Sequence, residues 1–215
     1  MNLIIFAHPE PKNSHNGKIL EFVREKLDQA NQKYKIIDLY AEEFDPKVNK
    51  EEWSGKTGDK TVEKYQNLVK EATRMIFIYP VWWYGAPAIL KGFFDRVFTN
   101  GFAYNFEKEQ MIHKIGKVCF GSLCGTKMFY PIFNSFLPVK RHLEGKKAFI
   151  IRTYGGEREA KELYGCATEY NVDKAILELC GIKVEKVEWF KVRGNNFEVP
   201  QEIREKIGKT LSKNG

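Results

Sequence analysis

Apolar residues occur along the chain in short continuous runs, separated by longer stretches with an apolar residue every three or four positions. A continuous run is typical of a strand buried on both faces of a parallel sheet, and the wider spacing is typical of a helix with one buried face. The runs predict strands over 3–7, 35–39, 75–79, 147–152 and 182–190. The spaced patterns predict helices over 17–30, 61–73, 86–98, 171–179 and 200–211.

The predicted strands and helices alternate, which indicates right-handed crossovers and an open, doubly wound parallel sheet. A length of 215 residues favours one domain over 1–215. The segment 107–143 is long for a connection and is interpreted as an insertion. Within it, 117–124 also resembles a strand. We prefer 147–152 as the fourth strand because a glycine pair, a helix and the last strand follow it at suitable spacing.

Cysteine content and charge narrow the class of protein. The four cysteines lack CxxC spacing and neighbouring histidine pairs, so they predict buried free thiols and no metal site. The formal charge of +7 comes from basic residues scattered among acidic ones, which argues against nucleic-acid binding and suits anionic cosubstrates. The cysteines are Cys119, Cys124, Cys166 and Cys180.

The N-terminal segment also bears on location. Residues 1–7 lack the basic start of a signal peptide, and the polar segment 8–11 interrupts the apolar run. No apolar run approaches the roughly 20 residues that a membrane span needs. We therefore expect a cytoplasmic protein without a membrane span.

Ligands of doubly wound sheets bind beyond the carboxyl ends of the strands, which directs attention to the loops 8–17, 79–86 and 153–165. The first loop enters a helix N-terminus and carries Ser14 and Asn16, so it is a candidate phosphate site. An ordinary loop capped by Ser14 or Asn16 explains the same residues. The loop matches neither a Walker motif nor GxGxxG.

The other two loops offer an aromatic wall and a glycine pair. Trp82, Trp83 and Tyr84 stand beside Gly85, where aromatic faces suit a planar ligand, although a cluster of this kind can also be core. The pair at 155–156 can bring backbone N–H groups close to a ligand, or can be a plain tight turn. At one sheet edge, the three loops together indicate a pocket of the size of flavin mononucleotide.

The string YPVWWYGAPAILKGFFDRVF at 79–98, followed by GFAY at 101–104, resembles the flavodoxin-fold NAD(P)H:quinone oxidoreductases, the DT-diaphorase-like flavoproteins. The segments 7–16, 143–148, 153–156 and 179–182 extend this likeness over most of the chain. The resemblance implies a flavodoxin-like α/β fold of five parallel strands in the order 2-1-3-4-5, with helices on both faces. It also implies a homodimer with a site at each subunit boundary.

The resemblance implies roles for individual residues. Tyr154, Gly155, Gly156 and Tyr164 would assist catalysis, and Tyr104 and Phe106 would wall the substrate pocket. NAD(P)H would give a hydride to the flavin, and a quinone would then take it, in a ping-pong exchange of two electrons. Residues that would hold FMN or FAD are His8, Ser14, His15, Asn16, Pro80, Val81, Trp82, Trp83, Tyr84, Thr153, Tyr154, Gly155 and Gly156.

The chain departs from the family at several points. The segment after the glycine pair has Tyr164 but no histidine, whereas mammalian-type members have both. The segment after Tyr104 is longer than in those members, and its aromatics would cover the pocket or enlarge a dimer contact. The loop after Asp45 is shorter than the adenine-embracing loop of FAD-binding relatives, which makes FMN a competitor of FAD. The aromatics of the longer segment after Tyr104 are Phe129, Tyr130, Phe133 and Phe136.

Two further functions fit the resemblance. Some relatives are flavin-bearing regulatory subunits of potassium-efflux systems, and a basic face at 140–147 would suit docking to such a membrane transporter. A flavodoxin-like electron carrier is the other alternative, but such carriers need acidic surroundings for their cofactor, which a basic chain fits poorly.

Overall fold

A five-stranded parallel sheet organises the computed structural model, which describes residues 1–54, 58–108, 137–164, 167–195 and 197–213. In chain order its strands are β1 (Asn2–Phe6), β2 (Tyr34–Asp38), β3 (Arg74–Val81), β6 (Lys147–Tyr154) and β7 (Lys183–Trp189). A separate antiparallel pair consists of β4 (Tyr104–Phe106) and β5 (Val139–Arg141). The sheet order β2-β1-β3-β6-β7 confirms the expected flavodoxin-like order, because β6 and β7 are its fourth and fifth strands.

Helices cover both faces of the sheet. They are α1 (His15–Gln29), α2 (Lys50–Trp53), α3 (Lys60–Glu71), α4 (Ala88–Val97), α5 (Arg158–Tyr164), α6 (Glu169–Glu178, a π-helix) and α7 (Gln201–Ser212). Buried residues of α1 and α7 pack on one face, and those of α3, α4 and α6 pack on the other. This double covering explains why β1, β3 and β6 are nearly continuous apolar runs.

The register places the ends of β3 and β6 side by side. Pro80 pairs with Thr153, and Val81 pairs with Tyr154. The sequence predicted that the third strand ends before Pro80, but β3 continues to Val81. The last pairing of β3 with β1 is at Ile78, so the missing N–H of Pro80 lies beyond that pairing and does not interrupt it.

The choice of 147–152 as the fourth strand is confirmed, since β6 pairs with both β3 and β7. The competing segment 117–124 lies outside the described residues. The two ends of the predicted insertion lie together, because Glu107 N donates to Pro138 O at 2.8 Å beside the β4–β5 pair. The division into one domain with an insertion over 107–143 stays a prediction.

Cys180 and Gly181 follow α6 in the chain. Gly181 follows α6 with a φ of +88°, a left-handed conformation that favours glycine at the end of a helix. Cys180 is buried and free, and its burial raises the pKa of the thiol to about 12; the other three cysteines lie outside the described residues. Across the described part of the chain, the helices are too short or too polar to cross a bilayer.

Candidate active site

The three predicted loops meet in one cavity of about 640 Å³ at the carboxyl edge of the sheet. This volume is within the range of roughly 300–1,000 Å³ that small-molecule sites occupy. All of the residues expected to hold a cofactor line it: His8, Ser14, His15, Asn16, Pro80, Val81, Trp82, Trp83, Tyr84, Thr153, Tyr154, Gly155 and Gly156. Sequence reasoning missed Val192 and Phe197, which also line the cavity and follow β7 without a recognisable motif.

The first loop folds tightly onto the start of α1. Ser14 is the N-cap of α1, because its Oγ accepts a hydrogen bond of 3.0 Å from Gly17 N. The same hydroxyl donates to Glu10 O at 2.5 Å. The chain passes so close that a Cβ on Gly17 would lie 2.1 Å from Pro11 O. The capped-loop interpretation of Ser14 is therefore confirmed, and the same fold places a helix N-terminus at the cavity.

Asn16 connects the first loop to the third. It is 2% exposed, and its Nδ2 donates to Thr153 Oγ1 at 2.9 Å. Its Oδ1 is buried and has no hydrogen-bond partner among the described residues. A buried acceptor without a partner is costly, so a ligand hydroxyl or N–H group bound in this cavity would fit Asn16.

The aromatic turn, Trp82–Gly85, is closed by two backbone hydrogen bonds, Trp82 N to Gly85 O (3.1 Å) and Gly85 N to Trp82 O (2.9 Å). Trp83 and Tyr84 have φ values of 51° and 56°, in the left-handed region that non-glycine residues seldom adopt. Strain of this kind costs of order 1–3 kcal/mol per residue and concentrates at functional sites. The turn holds the Trp83 side chain 98% exposed at the cavity.

The glycine loop, residues 153–156, is held from behind by the segment that follows β7. Val192 N donates to Tyr154 O at 3.0 Å, and Lys191 N donates to Gly156 O at 3.1 Å. Arg193 Nε donates to Gly155 O at 2.9 Å. Because these three carbonyl oxygens are engaged by the segment 191–193, the loop can approach a ligand with its N–H groups.

The two histidines at the cavity differ in surroundings. The ring of His15 meets the rings of Trp189 and Phe197 edge-on, each at 5.1 Å between centroids. Burial lowers the pKa of His8 below its usual value, and this effect outweighs the opposing influence of Glu10. The lowered pKa favours the neutral form of His8.

Tyr104 and Phe106, which the sequence also assigned to the site, do not line this cavity in the described chain. Tyr104 and Phe106 contact each other in β4, with ring centroids 5.3 Å apart. Tyr104 lines a second cavity of about 500 Å³, bordered by α3, α4 and α6. Tyr164 is the last residue of α5, and its side chain lies outside the described part of the structure. The aromatics at 129–136 lie outside it as well.

A cluster of charges lies behind the glycine loop. Glu188 Oε1 accepts from Tyr154 Oη and from Lys161 Nζ, each at 2.8 Å. Glu169 Oε1 accepts from Lys186 Nζ at 2.8 Å. Burial opposes the ionisation of Glu169, but Lys186 and Lys161 outweigh it and lower the pKa of its carboxyl to about 2.

This low pKa predicts an acid-dependent loss of stability. A depressed folded-state pKa contributes stability above the unfolded value of 4.5 and loses it as the pH falls towards the folded value. Glu169→Gln should therefore flatten the decline in the free energy of unfolding between about pH 4.5 and pH 2, by ~1 kcal/mol for a partly exposed pair. Urea unfolding across this pH range measures the effect. Parallel curves for wild type and Glu169→Gln would contradict it.

The sheet order and the three-loop cavity define a flavodoxin-like protein. A family model for the flavodoxin-like fold matches residues 2–122, more than half of the chain. NAD(P)H dehydrogenase (quinone) 1 of Cavia porcellus is 29% identical over 207 residues, which cover 85% of this chain but only 65% of that protein. Ribosyldihydronicotinamide dehydrogenase (quinone) of Pongo abelii is 34% identical, over 85% of this chain and 77% of its own length. The chain belongs to the flavodoxin-fold NAD(P)H:quinone oxidoreductase family.

Solved structures support the same fold. The protein Smu.1420 of Streptococcus mutans has a TM-score of 0.70 and 30% identity, with 99% of this chain and 97% of that chain covered. An FMN-dependent NADH-azoreductase of Bacillus anthracis, solved in complex with FMN, has a TM-score of 0.65 and 16% identity. The match covers 99% of this chain and 97% of the azoreductase chain. At this low identity it shows only that the two proteins share a fold.

Proposed function

We propose that the protein is a flavin-dependent NAD(P)H oxidoreductase that reduces quinones or similar planar acceptors, such as azo dyes and nitroaromatics. The observation that carries this proposal is the cavity, in which a helix N-terminus, an aromatic turn and a glycine loop meet at one edge of the sheet. The names of the family relatives agree with this activity.

The residues of the cavity fit FMN or FAD. The N-terminus of α1 would bind the phosphate, and the unpartnered Oδ1 of Asn16 would accept a hydrogen bond from a ribityl hydroxyl. Trp82, Trp83 and Tyr84 would border the isoalloxazine, and the glycine loop would face its pyrimidine edge. The loop after Asp45 is shorter than the adenine-embracing loop of FAD-binding relatives, which keeps FMN a competitor of FAD.

The flavin, when bound, supplies two-electron hydride chemistry. The net reaction is NAD(P)H plus a proton plus a quinone, giving NAD(P)⁺ and the hydroquinone. The chain's part is to hold both substrates in turn against one planar surface, which produces ping-pong kinetics. The N–H groups of Gly155 and Gly156 would stabilise negative charge that develops at the pyrimidine edge during reduction. Tyr154 would assist catalysis by holding the glycine loop in place through the hydrogen bond from its hydroxyl to Glu188.

We also propose a cytoplasmic homodimer. In the described chain, Tyr104 and Phe106 lie away from the first cavity, and Phe106 is 66% exposed. Supplying these aromatics to the site of a second subunit would give both residues the substrate-facing role that the family resemblance implies. Tyr164, the last residue of α5, keeps its proposed catalytic role.

The test begins with the visible spectrum of the purified protein and the identity of any flavin released on denaturation. NADH or NADPH is then added without oxygen, followed by menadione. Bleaching by a nicotinamide and recovery with the quinone are expected, with parallel double-reciprocal plots in the steady state. A protein that binds no added FMN or FAD would overturn the proposal, and intersecting plots would overturn its ping-pong part. Flavin that NAD(P)H does not reduce would favour the electron carrier or the regulatory subunit.

A further inference from the structure

The largest fully buried side chain among the described residues is charged. Arg152 is 0% exposed and lies in β6, immediately before Thr153 of the glycine loop. Its Nη2 lies 2.5 Å from Asp173 Oδ2, and its Nε lies 3.3 Å from Glu188 Oε1. Its Nη1 donates to Thr168 Oγ1. An arginine here needs explanation, because apolar residues of similar volume often replace buried ion pairs without loss of stability.

The contacts of Arg152 lead to both walls of the cavity. Thr168, which accepts from the guanidinium, donates its backbone N–H to Tyr84 O in the aromatic turn at 3.2 Å. Glu188 lies within ion-pair distance of the guanidinium, although Arg152 Nε makes no hydrogen bond among the described residues. Glu188 in turn accepts from Tyr154 Oη in the glycine loop at 2.8 Å. One guanidinium therefore joins two loops that are more than 60 residues apart in sequence.

The surrounding charges hold this link in place. Asp173 is 3% exposed and Thr168 is 1% exposed. Because both are buried, neither could replace its contact with Arg152 by a hydrogen bond to bulk water at low cost. Lys161 pairs with Glu188 at 2.8 Å, and Lys186 lies 3.5 Å from Asp173 and 2.8 Å from Glu169. Removing the guanidinium would leave an excess buried negative charge at the place where the two loops are joined.

We propose that Arg152 is a positioning residue that fixes the aromatic turn relative to the glycine loop and thereby sets the affinity for flavin. This inference rests on the proposed function for its ligand. The link between the loops, however, is a property of the flavin-free chain and can be measured without flavin.

The experiment compares Arg152→Met with Arg74→Met. Arg74 is a matched control, because it is also a buried arginine (3% exposed) but begins β3 at the opposite edge of the sheet. It donates to Asn2 Oδ1 at 2.7 Å, to Gln32 Oε1 at 2.9 Å and to Leu211 O at 3.1 Å. Both changes should lower the melting temperature.

Only Arg152→Met should act on the two loops. We expect roughly 10- to 100-fold weaker FMN binding by fluorescence titration, and about tenfold faster amide hydrogen exchange over 79–87 and 153–157 in the flavin-free protein. Arg152→Lys should recover part of both effects, since it keeps the charge. Thr168→Val should speed exchange in 79–87, and it carries the test if Arg152→Met does not fold.

Equal FMN affinity and equal loop exchange in Arg152→Met and Arg74→Met would overturn the inference. If Arg152→Met does not fold, unchanged exchange in Thr168→Val would overturn it. A wild-type protein that binds no flavin would refute the proposed function, and faster loop exchange in Arg152→Met would still support the positioning role.

Discussion

Gly17→Ala is expected to abolish flavin binding, with at least about a 100-fold rise in Kd. A Cβ at this position would lie 2.1 Å from Pro11 O and 2.7 Å from Pro11 C, and these are backbone atoms that move only with the loop. The loop 8–16 would therefore shift away from α1 and take its lining residues out of place. Titration of the flavin-free protein with FMN, followed by fluorescence, measures the effect.

Gly92→Ala is the control for general disruption. A Cβ on Gly92 would lie 2.4 Å from Pro46 O, so this change creates a comparable backbone clash between α4 and the segment before α2. We expect it to lower the melting temperature while the affinity for FMN stays near that of wild type. Equal losses of affinity in Gly17→Ala and Gly92→Ala would show that the tight first loop has no special role in binding.

Trp83→Ala is expected to weaken FMN binding by about 5- to 150-fold, the range that corresponds to stacking of ~1–3 kcal/mol between an aromatic side chain and a planar ring. The stability of the flavin-free protein should change by less than ~0.5 kcal/mol, because the side chain is 98% exposed and makes little packing contact. FMN titration and urea unfolding of the flavin-free protein measure the two quantities.

Trp53→Ala is the matched control, since Trp53 is 83% exposed but lies in α2 at the second cavity. We expect its affinity for FMN to equal that of wild type. If Trp83→Ala retains flavin as well as Trp53→Ala does, the aromatic turn is not a wall of the flavin site, and its strained conformation needs another explanation.

Much of the fold could be predicted because burial imposes a period on the sequence. The five strands of the main sheet and the helices α1, α3, α4, α6 and α7 all appear at the predicted places, and each boundary lies within about two residues of the prediction. The short pair β4–β5 and the helix α5 were not predicted. Both are only three to seven residues long, and neither has enough positions for a clear hydrophobic period.

The location of the site could also be predicted, but the residues that hold its loops in place could not. The family resemblance and the rule for parallel sheets identified the residues of three loops, and the structure gathers these residues in one cavity. The segment 191–193 was not identified, because it contacts the glycine loop chiefly through backbone N–H groups, which every residue except proline possesses. Arg152 was interpreted only as the end of a strand, because its role in positioning the loops depends on contacts with residues of α6 and β7.

The sequence by itself determined the order of elements, the two-sided burial of the sheet and the loops that meet at its edge. Each of these follows from local patterns of apolar residues and from the geometry of parallel crossovers. Only the tertiary structure decided the left-handed turn at Trp83, the unpartnered oxygen of Asn16, the separation of Tyr104 from the first cavity and the burial of Arg152. These features depend on contacts between residues distant in sequence, and the local hydrophobic periodicity carries no information about such contacts.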